Sequence, residues 1–250
     1  MAKNLFDVEG KVVIVTGSTK GLGRAFAQGF AERGARVVVS ARDQGRCDQT
    51  VAELQKSGDL TPMACHVGDW DAIPAFVDRV YDKFGRVDVV INNAGINPGI
   101  CSLTDMTPAL WDKVAAVNVK GPLRLSSLIA PRMGEQGGGS IINVASIGAT
   151  RPHAKNAHYD SSKAALVSLS QVMAMEWAPL KVRVNIISPG TFRTPKLMAA
   201  DPKWWQLAAS ASIMQRLAEP EECVGIALYL ASDASSFVTA ANHVVSGGIS

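Results

Sequence analysis

The chain has 250 residues, 47% of them apolar and 19% charged, with a formal net charge of +3. That is enough apolar material for one large core, and too little positive charge, with no block of consecutive Lys or Arg, for a nucleic-acid-binding surface. No apolar stretch approaches the length that crosses a bilayer. Cys47, Cys65, Cys101 and Cys223 stand far apart, with no Cys-x-x-Cys pair and no His at metal-ligand spacing, so they read as free thiols and no metal is expected. The chain reaches Asp7 and Glu9 before any apolar run, leaving no signal-peptide core. A cytoplasmic protein without nucleic-acid or membrane partners is the expectation.

From the N-terminus, β-branched runs alternate with helical patterns. The runs are Val12–Thr16, Arg36–Ser40, 62–67, 87–92, 140–144, 182–187 and 243–246. Several are continuously apolar rather than alternating, as strands covered by helices on both faces must be. The fold class expected is α/β: a single Rossmann-type, doubly wound parallel sheet of about seven strands with helices on both faces, one domain over 1–250. Gly34 and Gly58 read as helix stops, and Thr107-Pro108 and Asp201-Pro202 as an N-cap followed by Pro at the first helical position. Leu166, Leu169, Met173 and Trp177 fall at i, i+3, i+7 and i+11, a buried helical stripe, and Met173 and Met175 read as packing residues.

Thr16-Gly17-Ser18-Thr19-Lys20-Gly21-Leu22-Gly23 joins the first strand to the first helix. Glycines there let the backbone approach a pyrophosphate, and the helix N-terminus supplies N–H groups and a positive dipole end. The spacing is G-x-x-x-G-x-G. Asn92-Asn93-Ala94-Gly95 follows the fourth strand, Asn118 lies within Val117-Asn118-Val119, Ser146 follows the fifth strand, and Tyr159 comes thirteen residues later in Tyr-x-x-x-Lys with Lys163. Pro189-Gly190 follows the sixth strand.

In this order and spacing, nearly end to end, the chain resembles the short-chain dehydrogenase/reductase family. The resemblance implies a catalytic set of Ser146, Tyr159, Lys163 and Asn118, with Asn118 helping to hold a water for proton relay. It implies cofactor contacts from Gly17, Ser18, Thr19, Lys20, Gly21, Leu22 and Gly23, and from His66, Val67, Asn93, Ala94 and Gly95. Further contacts are implied for Tyr159 and Lys163, the latter on the nicotinamide ribose, and for Pro189, Gly190 and Thr191 near the nicotinamide. It also implies a variable substrate lid at about 190–216, a small-molecule carbonyl or alcohol as substrate (a 3-oxoacyl thioester, a sugar acid or another small ketone), and a homo-oligomer, a homotetramer before a dimer. Two departures stand out: His66 occupies a place where many members carry an acid, and Ser246-Gly247-Gly248 replaces Asp-Gly-Gly.

The residues themselves support that chemistry. Tyr159 and Lys163, at i and i+4, share one helix face. A phenol titrates near pH 10, too high for a base near neutrality, and an adjacent ammonium should lower that value. Ser146, at a strand's carboxyl end, is placed to hydrogen-bond a carbonyl oxygen. The second strand ends without a carboxylate and runs into Ala41-Arg42, with Asp43 expected to turn into the next helix. Arg42, the Ser40 hydroxyl and Lys20 would then receive a 2′-phosphate, making NADP(H) the expected cofactor. Two readings from other classes stay open: a non-catalytic nucleotide sensor or scaffold of the same fold, and an isomerase or dehydratase that uses nicotinamide transiently. Trp204 and Trp205 would cap a substrate or pack the lid down; His153 and His158 flank Tyr159 and would line the substrate site or lie at the surface.

Overall fold

The computed structural model describes residues 4–249. In chain order the main elements are β1 (Val12–Thr16), α1 (Gly21–Ala31), β2 (Arg36–Ser40), α2 (Gln44–Glu53), β3 (Leu60–Pro62), α3 (Ile73–Phe84), β4 (Val89–Asn92), α4 (Pro108–Ala115), α5 (Gly121–Glu135), β5 (Gly139–Val144), α6 (Ala157–Trp177), β6 (Val182–Pro189), α7 (Pro195–Met198), α8 (Pro202–Ser210), α9 (Val224–Ala231) and β7 (Asn242–Val245). A π-helical turn, Ala116–Lys120, joins α4 to α5. The seven strands form one parallel sheet in the order β3-β2-β1-β4-β5-β6-β7.

Continuous apolar strands follow from burial on both faces. Val13, Val15, Val37, Val39 and Ile91 pack against Phe26 and Phe30 of α1 and Leu228 of α9. Their neighbours Val12, Ile14, Val38 and Val90 face the other way, onto Phe76 and Val80 of α3, Ile129 and Met133 of α5 and Met173 of α6. Each strand thus feeds two cores through the two-residue alternation of its side chains.

The chain lays β2 and β3 to one side of β1, then returns to place β4 on the other. The loops leaving the carboxyl ends of β1 and β4 therefore diverge and open a crevice, the place where open α/β sheets bind ligands. The helix starts behave as their sequences require: the Thr107 and Asp201 side chains accept the N–H groups of Leu110 and Lys203, each with Pro at the first helical position.

Two expectations are corrected. The third strand is Leu60–Pro62, not 62–67. Pro62 has no N–H for a ladder, and beyond it the chain follows the edge of β2 only through single bonds from Met63 to Val39 and from Cys65 to Ala41. Met175 does not pack within this chain: it is 68% exposed on the outer face of α6, near Val172, while Met173 on the opposite side is buried.

Candidate active site

The crevice is built first by backbone geometry. Gly17 takes φ +65°, and a Cβ on it would lie 2.8 Å from the Cα of Ala94. Gly23 faces the Gly17 carbonyl and the Asn93 amide so closely that any side chain would collide with both. Asn93 Nδ2 donates to the carbonyls of Thr16 (2.9 Å) and Gly17 (3.2 Å), and the Thr16 hydroxyl accepts the N–H groups of Asn93 (3.1 Å) and Ala94 (3.0 Å). The loops after β1 and β4 are thereby stapled together, with the first turn of α1 at their junction.

The result is a cleft of about 390 Å³. Gly17, Thr19, Lys20, Gly21, Leu22, Gly23, Arg42, His66, Val67, Asn93, Ala94 and Gly95 line it as expected from the sequence. Ser18 and Ser40 do not. Both are fully buried, and Ser18 Oγ donates to the Val15 carbonyl and accepts the Ser40 N–H, each at 2.8 Å, clamping the loop to β2. The Ser40 hydroxyl is buried and has no hydrogen-bond partner among the described residues. Nor do Pro189, Gly190 and Thr191 reach this cleft: Gly190 lies against Ser246, and Thr191 borders a smaller cavity with Ser212, Met214 and Ser246.

Sequence reasoning missed Arg46, Ile96, Thr194 and Lys196, which also line the cleft. Arg46 stands four residues after Arg42, in the first turn of α2, a spacing visible in the sequence. Asp43 borders the cleft as well, although its Oδ1 caps α2 by accepting the Arg46 N–H at 2.8 Å. Lys20, Arg42, Arg46 and Lys196 against Asp43 leave a lining of net positive charge, suited to a polyanionic ligand. Tight glycines and this charge together fit the phosphates of a dinucleotide.

Asn118, Ser146, Tyr159 and Lys163 do not line this cleft themselves, but Lys163 Nζ and Asn118 Oδ1 lie beside Gly95, which does. Asn118 is buried in the π turn; its Oδ1 accepts the Ile96 N–H (2.8 Å), and its Nδ2 donates to the Ile96 carbonyl and to Ser162 Oγ, both at 3.0 Å. Both of its side-chain N–H groups are engaged, one with the loop after β4 and one with α6. Lys163 is 3% exposed, and its Nζ donates to the Val144 carbonyl at 2.8 Å, 5.8 Å from the centre of the Tyr159 ring. Ser146 lies two residues past β5, its Oγ accepting the Gly148 N–H at 3.1 Å.

Electrostatics departs from expectation. Burial lifts the Tyr159 phenol above its ordinary value; the Ser146 hydroxyl draws it down by hydrogen bonding, and Asp160 adds to the rise. Burial also brings Lys163 down to about 8. Lys163 does not depress Tyr159 as expected, because its ammonium is directed at the Val144 carbonyl and desolvation dominates both groups.

A family model described as enoyl-(acyl carrier protein) reductase matches residues 17–250. "Dehydrogenase/reductase SDR family member 4" of Pongo abelii is 39% identical over 241 residues, covering 95% of this chain and 87% of that protein. The chain belongs to the short-chain dehydrogenase/reductase family. It is an oxidoreductase of the kind that uses a nicotinamide cofactor. Among solved structures, a 7α-hydroxysteroid dehydrogenase complexed with NADH and 7-oxo glycochenodeoxycholic acid superposes with TM-score 0.93 at 33% identity, over 98% of this chain and 96% of that one. L-sorbose reductase of Gluconobacter frateurii, complexed with NADPH and L-sorbose, gives TM-score 0.92 at 30% identity, over 98% of each chain.

Around this short-chain dehydrogenase/reductase site the aromatic candidates divide. Trp204 is 63% exposed on α8 and does not pack that segment down, whereas Trp205 is half-buried. His158 is buried with neither ring nitrogen hydrogen-bonded, while His153 is exposed and places Nδ1 3.4 Å from a carboxylate oxygen of Asp160. No described helix is long and apolar enough to cross a membrane.

Proposed function

We propose that this chain interconverts a carbonyl and a secondary alcohol with NADP(H), using Tyr159 as acid and base. The observation that carries the reading is the convergence of Ser146, Tyr159 and Lys163 beside a positively lined, glycine-built cleft. When bound, the nicotinamide supplies or accepts the hydride. In reduction the Ser146 hydroxyl holds the substrate oxygen and Tyr159 gives it a proton; in oxidation Tyr159 takes that proton back. A phenol held protonated by burial suits the reductive direction. By the family resemblance, the Lys163 ammonium would bind the nicotinamide ribose hydroxyls, beside the Val144 carbonyl that it already meets. A relay through Asn118 would use its main-chain carbonyl, since the side chain is committed elsewhere.

Lys20 and Arg42, joined by Arg46, favour a 2′-phosphate, with Asp43 opposing them. The two solved relatives hold NADH and NADPH respectively, so the choice rests on these side chains rather than on the fold. The substrate class is a small or medium ketone: a 3-oxoacyl thioester, a sugar acid or another secondary-alcohol partner. We read 1–250 as one domain with the 190–216 segment as its substrate lid, and the protein as a cytoplasmic homotetramer. Free cysteines among the described residues and the exposed Trp111, Val172 and Met175 support the last two points. The test is a panel of ketones and alcohols with both cofactors, followed by cofactor absorbance. Stoichiometric oxidation of NADPH with a ketone is expected, and product formation without net cofactor change would replace this reading by an isomerase or dehydratase.

A further inference from the structure

Asp160 is a buried carboxylate, 2% exposed, one residue past Tyr159, and the proton transfer above does not use it. Its Oδ2 accepts the main-chain N–H of His153 at 2.7 Å, and its Oδ1 accepts Asn156 Nδ2 at 2.9 Å. Gly148 is pressed against Oδ1 so closely that any side chain there would collide with it. Three points of the loop between Ser146 and Tyr159 are therefore gathered on one carboxylate of the catalytic helix.

The bonding continues outward. Asn156 Oδ1 accepts Asn97 Nδ2 at 3.0 Å, and the Asn97 carbonyl accepts Lys196 Nζ at 2.6 Å. Lys196 belongs to α7 and lines the cofactor cleft. A single hydrogen-bonded chain thus runs from beside Tyr159, across the loop after β4, to the 190–216 segment.

We propose that Asp160 is a positioning residue: it holds the 147–156 loop as one wall of the substrate site and, through Asn156 and Asn97, orders the Lys196 segment together with that loop. An apolar anchor would bury the loop equally well, but it would not accept two directed N–H groups or pass the order on to Asn97. The inference rests on the carbonyl-reductase reading for its kinetic part only.

The experiment compares Asp160→Ala, Asp160→Asn and Asn97→Ala with the wild-type full chain, by amide hydrogen exchange and by kinetics on a ketone taken from the panel. In Asp160→Ala, exchange is expected to rise at least about tenfold in 148–156 and also in 195–198, which Asp160 does not touch. KM for the ketone should rise about tenfold or more while kcat changes less. Asp160→Asn keeps an acceptor for His153 but turns an N–H toward Asn156, and should fall between. Asn97→Ala, at a half-exposed site, cuts the chain beyond Asp160; it should loosen 195–198 and leave 148–153 protected, and it serves if Asp160→Ala does not fold. Lower thermal stability with unchanged KM in the Asp160 variants would overturn the positioning role. Unchanged exchange at 195–198 in every variant would overturn the coupling. If wild type turns over no ketone, the activity reading fails, while the exchange patterns still decide for or against the chain.

Discussion

The Lys163 ammonium donates to the main-chain carbonyl of Val144 at 2.8 Å, from a position with almost no solvent contact. One carbonyl replaces the water a charged amine would otherwise hold, and the amine titrates near 8 instead of 10.5. The stability consequence has a definite sign. Below pH 8 the amine is charged folded and unfolded, and the burial cost is present in full. Between about 8 and 10.5 the unfolded chain holds the proton and the folded chain does not, so stability rises with pH. Relative to wild type, Lys163→Met should therefore be more stable at pH 7 than at pH 10.5 by on the order of 3 kcal/mol. Taking the difference between the two proteins removes the tyrosines and thiols that titrate in the same range. Urea denaturation at both pH values measures it, and a gap independent of pH would show that Lys163 is not desolvated as described.

Tyr159→Phe keeps the ring and removes the transferable proton. Turnover should fall by at least about 100-fold, the scale of a lost general acid, while NADP(H) affinity stays within about twofold of wild type. Stopped-flow turnover and fluorescence titration give the two numbers. Retention of most of the wild-type rate would remove Tyr159 from the acid/base role.

What could be read from the sequence tracks how local the physics is. Strands β1, β2 and β5 were legible because both faces of an interior strand are buried and its central residues form a continuous apolar run. β3 was not, because an edge strand of three residues ending in Pro62 leaves no such run. Tyr159 and Lys163 were legible from helical spacing, and Arg46 could have been, standing four residues after Arg42. That Ser18 and Ser40 do not line the cleft was not legible: the Ser18 hydroxyl bonds to the backbone of Val15 and Ser40, and the Ser40 hydroxyl is buried, which only the fold shows. The partners of Asp160 lie four and seven residues back and depend on how the 147–156 loop returns to α6, which no periodicity encodes.

Glycine substitutions should separate the phosphate loop from the rest of the sheet. In Gly23→Ala the new methyl would strike the Gly17 carbonyl and the Asn93 amide that staples it. Cofactor affinity should drop at least about tenfold, with lower thermal stability. Gly225→Ala is the control: it is exposed on α9 with nothing near its Cβ position, and should raise stability by about 0.5–1 kcal/mol with unchanged cofactor binding. Equal cofactor affinity in Gly23→Ala and wild type would mean the dinucleotide does not lie against this loop.

Cofactor choice is the sharpest prediction. Lys20 approaches the cleft from the glycine loop, Arg42 from the turn after β2 and Arg46 from α2, while Asp43 has one oxygen engaged as a helix cap. Three cations against one partly committed carboxylate should prefer the extra phosphate of NADP(H), chiefly in binding, because these side chains lie away from Tyr159. Losing one charge-assisted contact is worth roughly 1.5–3 kcal/mol, so Arg46→Gln should weaken NADPH binding about tenfold or more and leave NADH nearly unchanged. Ala41→Asp combined with Arg42→Leu adds a ribose acceptor while removing a guanidinium, and should move preference toward NAD(H). The wild-type preference should shrink with salt as the ionic contacts are screened. The direct measurement is kcat/KM for both cofactors in wild type and the two variants. Equal wild-type values, or a preference for NAD(H), would mean that Lys20, Arg42 and Arg46 are solvated surface charges and that Asp43, despite its capping bond, governs the choice.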